Sequence, residues 1–433
     1  MTDSPTRADS PIRVGILGCG TVGSSLVKLI RDEADAVRTR TGIELEVARV
    51  AVRNLSAERA IDLEPGVLTR DSAALVADPE VDIVVETIGG IEPARHLTLA
   101  ALQAGKPVIT ANKELVANCS AELFEAANRS GVDLLFEAAV GGGIPLIRVL
   151  RESLVGERIT TMMGIVNGTT NYILTKMTDE GAPYATALAD AQQLGYAEAD
   201  PTADVEGFDA GAKAAIMATV AFGVGVVPGD VYQEGISRIT PTDIEAARRL
   251  DHVIKLLAIV ERSGDAVSAR VHPAIVPANH PLASVRDSFN AVFIQGQAVD
   301  DLMLYGRGAG GAPTASAMFG DLIEAAVNLR RGTHNELWGL EAAAVVPIDE
   351  TSSAFYVPID VVDAPGVLAA VATVFGRHEV SISSMEQHDE GDNAKLLLIT
   401  HQAREADMQA TVAELRTLEP VLKVGNLIRV IGS

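Results

Sequence analysis

Short apolar runs alternate with helical periodicity over the first third of the chain. The run IRVGIL at residues 12–17 leads into a glycine-rich turn and then into a helix-like segment, SSLVKLI. Four further apolar runs, LEVARVAV, VDIVVET, KPVIT and VDLLF, are separated by helical segments such as RHLTLAALQAG. Strands and helices that alternate in this way predict an α/β fold with a doubly wound parallel sheet.

The pattern changes beyond about residue 139 and changes back near residue 305. The segment ITTMMGIVNGTTNYILTKM reads as a strand followed by a helix, and DAGAKAAIMATVAF reads as a helix that is apolar on all sides. LMLYGRGAGGAPTASAMFGDLIEAAVNL then reads as a strand, a glycine turn and a long amphipathic helix. We therefore predict a doubly wound domain from residues 12–138 and 305–335, with an α+β domain of residues 139–304 inserted into it.

A separate unit follows the polar segment RRGTHNELWGLEAAAVVPIDETSS. Residues 354–433 read as strand, helix, strand, strand, helix and strand, with VLKVGNLIRVIG as one final strand. The turn Asp363-Ala-Pro-Gly366 precedes the first of these helices. This βαββαβ order predicts a small C-terminal domain.

Composition excludes several classes of function. The chain has 433 residues, with 35 Lys and Arg against 58 Asp and Glu, and this acidic balance opposes binding to nucleic acid. The two cysteines, Cys19 and Cys119, form no metal-spaced cluster or disulfide framework. The N-terminus has no apolar signal region, and the most apolar run is about 14 residues, too short to span a bilayer. We therefore expect a cytoplasmic protein without a membrane segment.

The first turn carries a dinucleotide fingerprint, Gly18-x-Gly20-x-x-Gly23. Gly18 permits the tight turn, Gly20 lets a pyrophosphate approach the backbone, and Gly23 allows the helix to pack on the strand. Thr21 and Val22 lie at the helix N-terminus, where N–H groups attract anions. A tight turn that binds nothing is the alternative.

Two further strand ends carry candidate cofactor contacts. Arg53 follows the second strand, where an arginine tolerates a 2′-phosphate, so we expect NADP, with NAD as the alternative. Arg53 is also consistent with an ordinary surface charge. Thr87, Asn112 and Lys113 follow later strands at the edge where such folds bind ligands, although Lys113 could also be a solvated lysine at the start of a helix.

A lysine at the start of the apolar helix is the main candidate for chemistry. Lys213 stands four residues after Asp209, so both lie on one helix face, and further carboxylates precede them in GYAEADPTADVEGFDAGAK. Burial lowers the pKa of an amine towards the range of a general acid or base. A structural ion pair between Asp209 and Lys213 is the alternative.

Together, GILGCGTVG, TANKE, EAAVGGGIP, GIVNGTTNYIL, GYAEADPTADVEGFDAGAK and YGRGAGGAPTASA resemble the homoserine dehydrogenase family. The resemblance implies NAD(P)-dependent interconversion of aspartate 4-semialdehyde and homoserine. It implies that Lys213 and Lys113 act at the reacting centre and that Glu198, Asp204 and Asp209 hold the substrate amino group. Asn167, Gly168 and Thr169, at a helix start, are candidates to hold a small polar ligand or simply to cap the helix.

The same resemblance implies further ligands and partners. Backbone carbonyls of Glu137, Val140, Gly142 and Ile144 would bind a monovalent cation, usually sodium in this family, whereas the bare sequence VGGGIP predicts only a flexible turn. Gly308 and Gly310 would lie near the nicotinamide, or would only start a helix. The inserted domain would form a homodimer or homotetramer interface.

The C-terminal unit resembles the ACT domain, an amino-acid-sensing module. This resemblance implies threonine as the effector, and a plain dimerisation sheet without a ligand is the alternative.

Two other functions are alternatives to the dehydrogenase. A non-catalytic NADP or amino-acid sensor would tolerate loss of Lys213. Aspartate semialdehyde dehydrogenase needs a catalytic cysteine, and Cys119 lies in a helix-like run rather than on a catalytic loop.

Overall fold

The computed structural model describes residues 10–337, 339–341, 344–389 and 391–432. The polar N-terminal segment, parts of the predicted linker, Glu390 and Ser433 lie outside the described residues. Contacts divide the chain into two units: Met1–Ile159, Ala215–Pro228 and Leu304–Ala343 form the first, and Thr160–Ala214, Gly229–Met303 and Ala344–Ser433 form the second. The bounds predicted above for three domains, 12–138 with 305–335, 139–304 and 354–433, remain a prediction. In the part of the chain that is described, no helix is long and apolar enough to cross a membrane.

The first unit is built on a six-stranded sheet in which all strands are parallel and the order is β3-β2-β1-β4-β5-β6. The order reverses beside β1, which confirms the predicted doubly wound sheet. The strands are β1 (Ile12–Leu17), β2 (Leu45–Ala51), β3 (Leu68–Thr69), β4 (Ile83–Glu86), β5 (Val108–Thr110) and β6 (Leu134–Leu135).

Helices connect these strands and bury their apolar faces on the sheet. They are α1 (Thr21–Asp32), α2 (Ala34–Thr41), α3 (Ser72–Ala77), α4 (Ala94–Gln103) and α5 (Lys113–Ser130). Helix α5 shows how the sequence sets the ends: the Asn112 side chain accepts from Leu115 N at the start, and Gly131 ends it at a φ of 64°. An N-cap asparagine and a left-handed glycine are the usual signals for these positions.

The second unit contains a mixed sheet and the helices that cover it. Strands β9 and β10 form a long antiparallel hairpin in the order β12-β11-β7-β9-β10. The elements of this region are β7 (Ile159–Ile165), α6 (Gly168–Glu180), α7 (Tyr184–Gln193), α8 (Thr202–Val205), α9 (Phe208–Phe222), β8 (Tyr232–Gln233), α10 (Pro241–Arg249), β9 (His252–Ser263), β10 (Ala266–Pro277), β11 (Phe289–Gly296) and β12 (Asp300–Arg307).

The chain then returns to the first unit with α11 (Gly311–Arg331) and afterwards forms β13 (Ala344–Val345). Helix α11 packs on the same core as β1, with Ala315, Met318 and Leu322 fully buried beside Val14 and Ile16. The N-termini of α11 and α1 lie side by side, because a Cβ at Gly311 would lie 2.9 Å from both Ser25 Oγ and Thr21 Cγ2.

The C-terminal region has the predicted βαββαβ order with two differences: a two-residue strand, Ala403–Arg404, precedes the second helix, and the final strand is divided. The final strand is split into two, because Gly425 N donates to Pro358 O and the two pieces pair with different halves of the long first strand. The prediction of a single final strand over VLKVGNLIRVIG was therefore wrong. The elements are β14 (Ser352–Val362), α12 (Val367–Arg377), β15 (Ile382–Asp389), β16 (Asn393–Thr400), β17 (Ala403–Arg404), α13 (Glu405–Leu415), β18 (Val421–Val424) and β19 (Ile428–Val430).

Lys255 is buried in the sheet of the second unit, and it was not among the predicted site residues. Lys255 on β9 is 4 % exposed, and its Nζ donates to Asn171 Oδ1 at 3.0 Å and to Val285 O. Burial, and after it the positive charge of Arg286, lowers the pKa of Lys255 to about 8. Both acceptors are neutral, so they compensate only part of the lost hydration.

We expect Lys255 to make unfolding pH-dependent in the alkaline range. The unfolded chain keeps this amine protonated up to its ordinary pKa of 10.5, whereas the folded protein releases the proton near 8, so folding becomes more favourable as pH rises between them. The lysine therefore costs stability below pH 8, on the order of 3 kcal/mol. Urea unfolding at pH 7 to 10 measures this.

Lys255→Met is the comparison for this prediction. The free energy of unfolding of the wild type should rise relative to that of the variant as pH increases. Parallel curves for the two proteins would contradict the buried, easily deprotonated amine.

Candidate active site

The glycine turn between β1 and α1 is shaped by two close approaches. Gly18 has a φ of 102°, and a Cβ there would lie 2.8 Å from Thr87 Oγ1. A Cβ at Gly23 would lie 2.5 Å from Gly18 O. The Thr87 hydroxyl donates to Leu17 O and Gly18 O, so this side chain supports the turn from below. Gly18 and Gly23 are thus required by packing within the protein itself.

Gly20 differs from these two glycines. Its φ of −82° is open to any residue, and a Cβ there would have no atom within 4 Å. It is the N-cap of α1, and no side chain caps the helix. The N–H groups of Thr21, Val22 and Gly23 belong to the first turn of the helix, where N–H groups have no partner within the helix and suit an anion such as a pyrophosphate, and the open space at Gly20 suits its approach. The turn therefore fits a dinucleotide.

The carboxyl ends of β4 and β5 are joined by a buried hydrogen-bond network. Glu86 is fully buried; Thr110 Oγ1 donates to its Oε2 at 2.6 Å, and the N–H groups of Ile88 and Gly89 donate to its Oε1. Asn112 Nδ2 donates to Gly90 O at 2.6 Å. Glu86 was not among the predicted site residues, although a carboxylate at the end of an apolar strand is a signal for such a role. The network fixes the loop that carries Thr87 and Asn112 and the start of α5 at Lys113.

The predicted cation loop is held by a second buried network. The Glu137 carboxylate, 4 % exposed, accepts from Ile147 N at 2.8 Å and Arg148 N at 2.7 Å, while Glu137 N and Arg148 Nη2 donate to Asp321. Burial raises the pKa of the Glu137 carboxyl, and the backbone N–H groups of Arg148 and Ile147 offset part of this rise. Burial raises the pKa of Asp321 well above its ordinary value, and the negative charge of Glu137 is the second cause of this rise.

Between these contacts the chain runs through Val140, Gly142 and Ile144. Gly142 has a φ of 54° and lies so close to Gly308 that a Cβ would collide with Gly308 O. The loop therefore packs against the glycine turn before α11, where Gly310 is the N-cap with a φ of 118°. Among the described residues, no group of three or more His, Cys, Asp or Glu side chains could hold a metal ion.

The second unit brings Lys213 and its predicted partners together. Lys213 Nζ donates to Asp209 Oδ2 and to Val166 O, both at 2.7 Å, and its side chain is 12 % exposed. Asn167 Nδ2 donates to Asp209 Oδ2 at 2.8 Å and to Asp204 Oδ1 at 2.6 Å. One amide thus holds two carboxylates beside one amine at the starts of α6 and α9.

The start of α6 is fixed by both capping and packing. Asn167 Oδ1 accepts from Thr170 N, so its side chain caps the helix and bridges the carboxylates at the same time. Thr169 Oγ1 donates to Tyr196 O at 2.6 Å and to Asp204 Oδ2 at 3.2 Å. A Cβ at Gly168 would lie 2.8 Å from Ser288 O. The two readings of this motif, capping and ligand binding, are therefore compatible.

Two predicted residues lie apart from these networks. Glu198 is exposed on the loop after α7, where its backbone carbonyl accepts from Gln192 Nε2. Arg53 is exposed just beyond the end of β2. Their exposure leaves both side chains accessible to a ligand.

Comparison with known proteins gives three family matches along the chain. A family model described as the NAD binding domain of homoserine dehydrogenase matches residues 18–137, one described as homoserine dehydrogenase matches 145–323, and one described as the ACT domain matches 356–420. The fold and these matches define an oxidoreductase with a Rossmann-type NAD-binding domain.

Relatives cover nearly the whole chain. A homoserine dehydrogenase of Corynebacterium glutamicum is 49 % identical over 97 % of this chain and 95 % of its own length. The crystal structure of a homoserine dehydrogenase from Thiobacillus denitrificans superimposes with a TM-score of 0.92 at 41 % identity, covering 97 % of this chain and 98 % of the other. The chain belongs to the homoserine dehydrogenase family and is an enzyme, which confirms the resemblance and disfavours the sensor alternative.

The structure of one relative contains a bound cofactor. A hyperthermophilic archaeal homoserine dehydrogenase, whose structure is a complex with NADPH, superimposes with a TM-score of 0.64 at 30 % identity. The match covers 74 % of this chain and 98 % of that one.

Gly20→Ala should separate cofactor binding from stability. The open space predicts an unchanged melting temperature, whereas a methyl group where the pyrophosphate approaches should weaken dinucleotide binding about tenfold or more. Gly23→Ala, which forces a 2.5 Å contact, should lose both stability and binding. Thermal unfolding and fluorescence titration with NADPH measure the two effects. Wild-type NADPH affinity in Gly20→Ala would show that the turn does not hold the pyrophosphate.

Proposed function

We propose that this enzyme interconverts L-aspartate 4-semialdehyde and L-homoserine by hydride transfer with NADP, NAD being the alternative cofactor. The observation that carries the proposal is the largely buried Lys213 amine, held by Asp209 and Val166 O next to a second carboxylate. A proton-transferring amine beside acidic groups matches a substrate that carries both a reacting oxygen and an ammonium group.

The dinucleotide is assigned to the first unit. Gly18, Gly20, Thr21, Val22 and Gly23 would hold the pyrophosphate, and the exposed Arg53 would accept a 2′-phosphate, which favours NADP. Residues at the strand ends and glycine turns would contact the nicotinamide half: Thr87, Asn112, Lys113, Gly308 and Gly310. When bound, the reduced nicotinamide supplies the hydride that adds to the aldehyde carbon.

The substrate is assigned to the polar groups around α6 and α9. The substrate ammonium would be held by Glu198, Asp204 and Asp209, with Asn167, Gly168 and Thr169 shaping the rest of the subsite. Lys213 has three N–H hydrogens when protonated, and the two described acceptors leave one for the substrate oxygen. As that oxygen gains negative charge, the ammonium gives it a proton; in the reverse direction the neutral amine accepts the hydroxyl proton. Lys113 is the second candidate at the reacting centre.

A monovalent cation, sodium by the family resemblance, is assigned to the carbonyls of Glu137, Val140, Gly142 and Ile144. Two sets of contacts that fix this loop support the cation assignment. Asp321 accepts hydrogen bonds from Glu137 N and Arg148, and Gly142 lies directly against Gly308. Carbonyl oxygens are ligands that hard cations prefer.

The C-terminal ACT domain is assigned a regulatory role. Gly366 begins α12 with a φ of 91°, is exposed, and would have no atom within 4 Å of an added Cβ, so a ligand backbone has room to approach the helix N-terminus. We propose L-threonine as the effector, consistent with a step in threonine, methionine and isoleucine biosynthesis. The enzyme is expected to act as a homodimer or homotetramer.

Lys213→Ala should abolish most turnover without affecting cofactor binding. Loss of the acid/base group should lower kcat with homoserine about 10²-fold or more. Steady-state absorbance of reduced nicotinamide measures turnover, and NADPH titration is the control for an intact first unit. A variant that turns over at near the wild-type rate would contradict the assigned role.

L-Threonine should inhibit the full-length enzyme. A coupling of ordinary size predicts a change of about fivefold or more in apparent substrate affinity. D-Threonine is the matched control, and Gly366→Asn, which tolerates the left-handed backbone but adds a side chain at the approach, should lose the response. Equal rates with and without L-threonine at millimolar concentrations would contradict the effector assignment.

A further inference from the structure

We propose that Glu234 and Arg429 are positioning residues: a buried arginine of the C-terminal domain holds the short strand β8 against the back of helix α9, and β8 in turn holds the Asp209–Lys213 pair in place. This proposal rests on the assignment of Lys213 as the proton-transferring residue. It extends that assignment to residues far from it in sequence.

The anchor of this arrangement is Arg429 on β19. Its side chain is 2 % exposed; Nε and Nη2 donate to the two oxygens of Glu405, both at 2.8 Å, and Glu405 is equally buried. The remaining terminal nitrogen, Nη1, donates to Glu234 Oε2 at 2.9 Å, and the guanidinium lies 5.2 Å from the centre of the Tyr232 ring. A bidentate pair of this kind fixes the guanidinium in orientation as well as position. Glu234 is therefore held by a rigid donor.

The strand pairing places β8 and β19 end to end along one edge of β10. Tyr232 and Gln233 pair with Arg270 and Val271, and Arg429 pairs with Ala274 a few residues further along. Glu234 N also donates to Val271 O at 2.8 Å. The ion pair between Glu234 and Arg429 thus connects the end of β8 to β19, and both of these strands pair with β10.

On their other side, β8 and the residues that follow it contact the end of α8 and the first turns of α9. Ile236 N donates to Val205 O at 2.8 Å, and Gly235 lies so close to the end of α8 that a Cβ would collide with Val205 O. A Cβ at Gly211 would lie 2.5 Å from Gln233 Nε2. The absence of a side chain at Gly211 lets Gln233 lie directly on the helix.

The position of Gly211 explains why this contact matters for Lys213. Residues two positions apart lie on opposite sides of a helix, whereas residues four apart share a face. Asp209 and Lys213 therefore share one face of α9, and Gln233 supports the helix from the opposite face. If β8 moves away, the amine loses the support behind it, and misplacement of a catalytic group by about 1 Å can cost on the order of 10²-fold in rate.

Glu234→Ala tests the proposal, with Glu414→Ala as the matched control. Glu234 is 36 % exposed, so its removal leaves Arg429 paired with Glu405 and the fold intact. Glu414 is a second carboxylate of the same domain; it forms an ion pair with Arg377 and a hydrogen bond with His378, and neither partner belongs to β8 or α9. Glu234→Gln keeps an acceptor for Arg429 and should recover most of the effect.

In the full-length enzyme, Glu234→Ala should lower kcat with homoserine about tenfold while KM for NADP stays unchanged. Amide hydrogen exchange of residues 205–213 should accelerate in Glu234→Ala and not in Glu414→Ala. Unchanged exchange in this segment, or faster exchange with wild-type kcat, would overturn the proposal. Loss of kcat in both variants would overturn it as well, because that result indicates a general loss of stability.

The exchange measurement needs no turnover, so it decides whether β8 supports α9 even if the reaction assignment fails. Failure of the reaction assignment would instead show as undiminished turnover in Lys213→Ala. The two failures are therefore distinguishable.

Discussion

The second unit depends on keeping a charged amine out of water at the start of an apolar helix. Lys213 is tolerated at 12 % exposure because a carboxylate and a backbone carbonyl each accept one of its hydrogens. Removing one partner of such a buried pair typically costs about 3–5 kcal/mol. The same constraint fixes Asp209, then Asn167, which holds Asp209 and Asp204 together, and then the start of α6 that Asn167 caps. The proposed site for proton transfer and the local fold are therefore one network.

The first unit meets a different constraint, close approach of backbone to backbone. Gly18 and Gly23 are needed because the turn after β1, the Thr87 hydroxyl and helix α1 occupy the same small volume. Gly142 is needed for the same reason beside Gly308. Within the first glycine motif, Gly20 differs from Gly18 and Gly23 because an added Cβ there would have no atom within 4 Å, and this open space is consistent with the proposed approach of a ligand. The glycines of one motif thus divide into those that build the turn and one that leaves room.

The sequence was a good guide wherever one local pattern decides the outcome. Alternation of strands and helices predicted the parallel sheet, and i,i+4 spacing predicted the contact between Asp209 and Lys213. It was a poor guide where contacts join distant segments: Lys255 contacts Asn171 and Val285, which lie 84 and 30 residues away, and Glu405 and Glu234 lie 24 and 195 residues from Arg429. The split of the last strand at Gly425 likewise depends on Pro358, which only the folded sheet brings beside it. Residue type and spacing carry no information about such pairings.

The C-terminal domain is joined by its backbone to the part of the second unit that carries Lys213, and this limits how the proposed regulation can operate. Strand β19 pairs with β10 on one side and β14 on the other, so one sheet runs through both parts. A ligand changes an enzyme only through a difference in its affinity for two arrangements. A hydrogen-bonded sheet resists sliding, which directs any rearrangement towards elements attached by few bonds. Strand β8 is such an element: it pairs with β10 over only two residues, it is held at its end by the contact between Glu234 and Arg429, and it lies against the helix that carries Lys213.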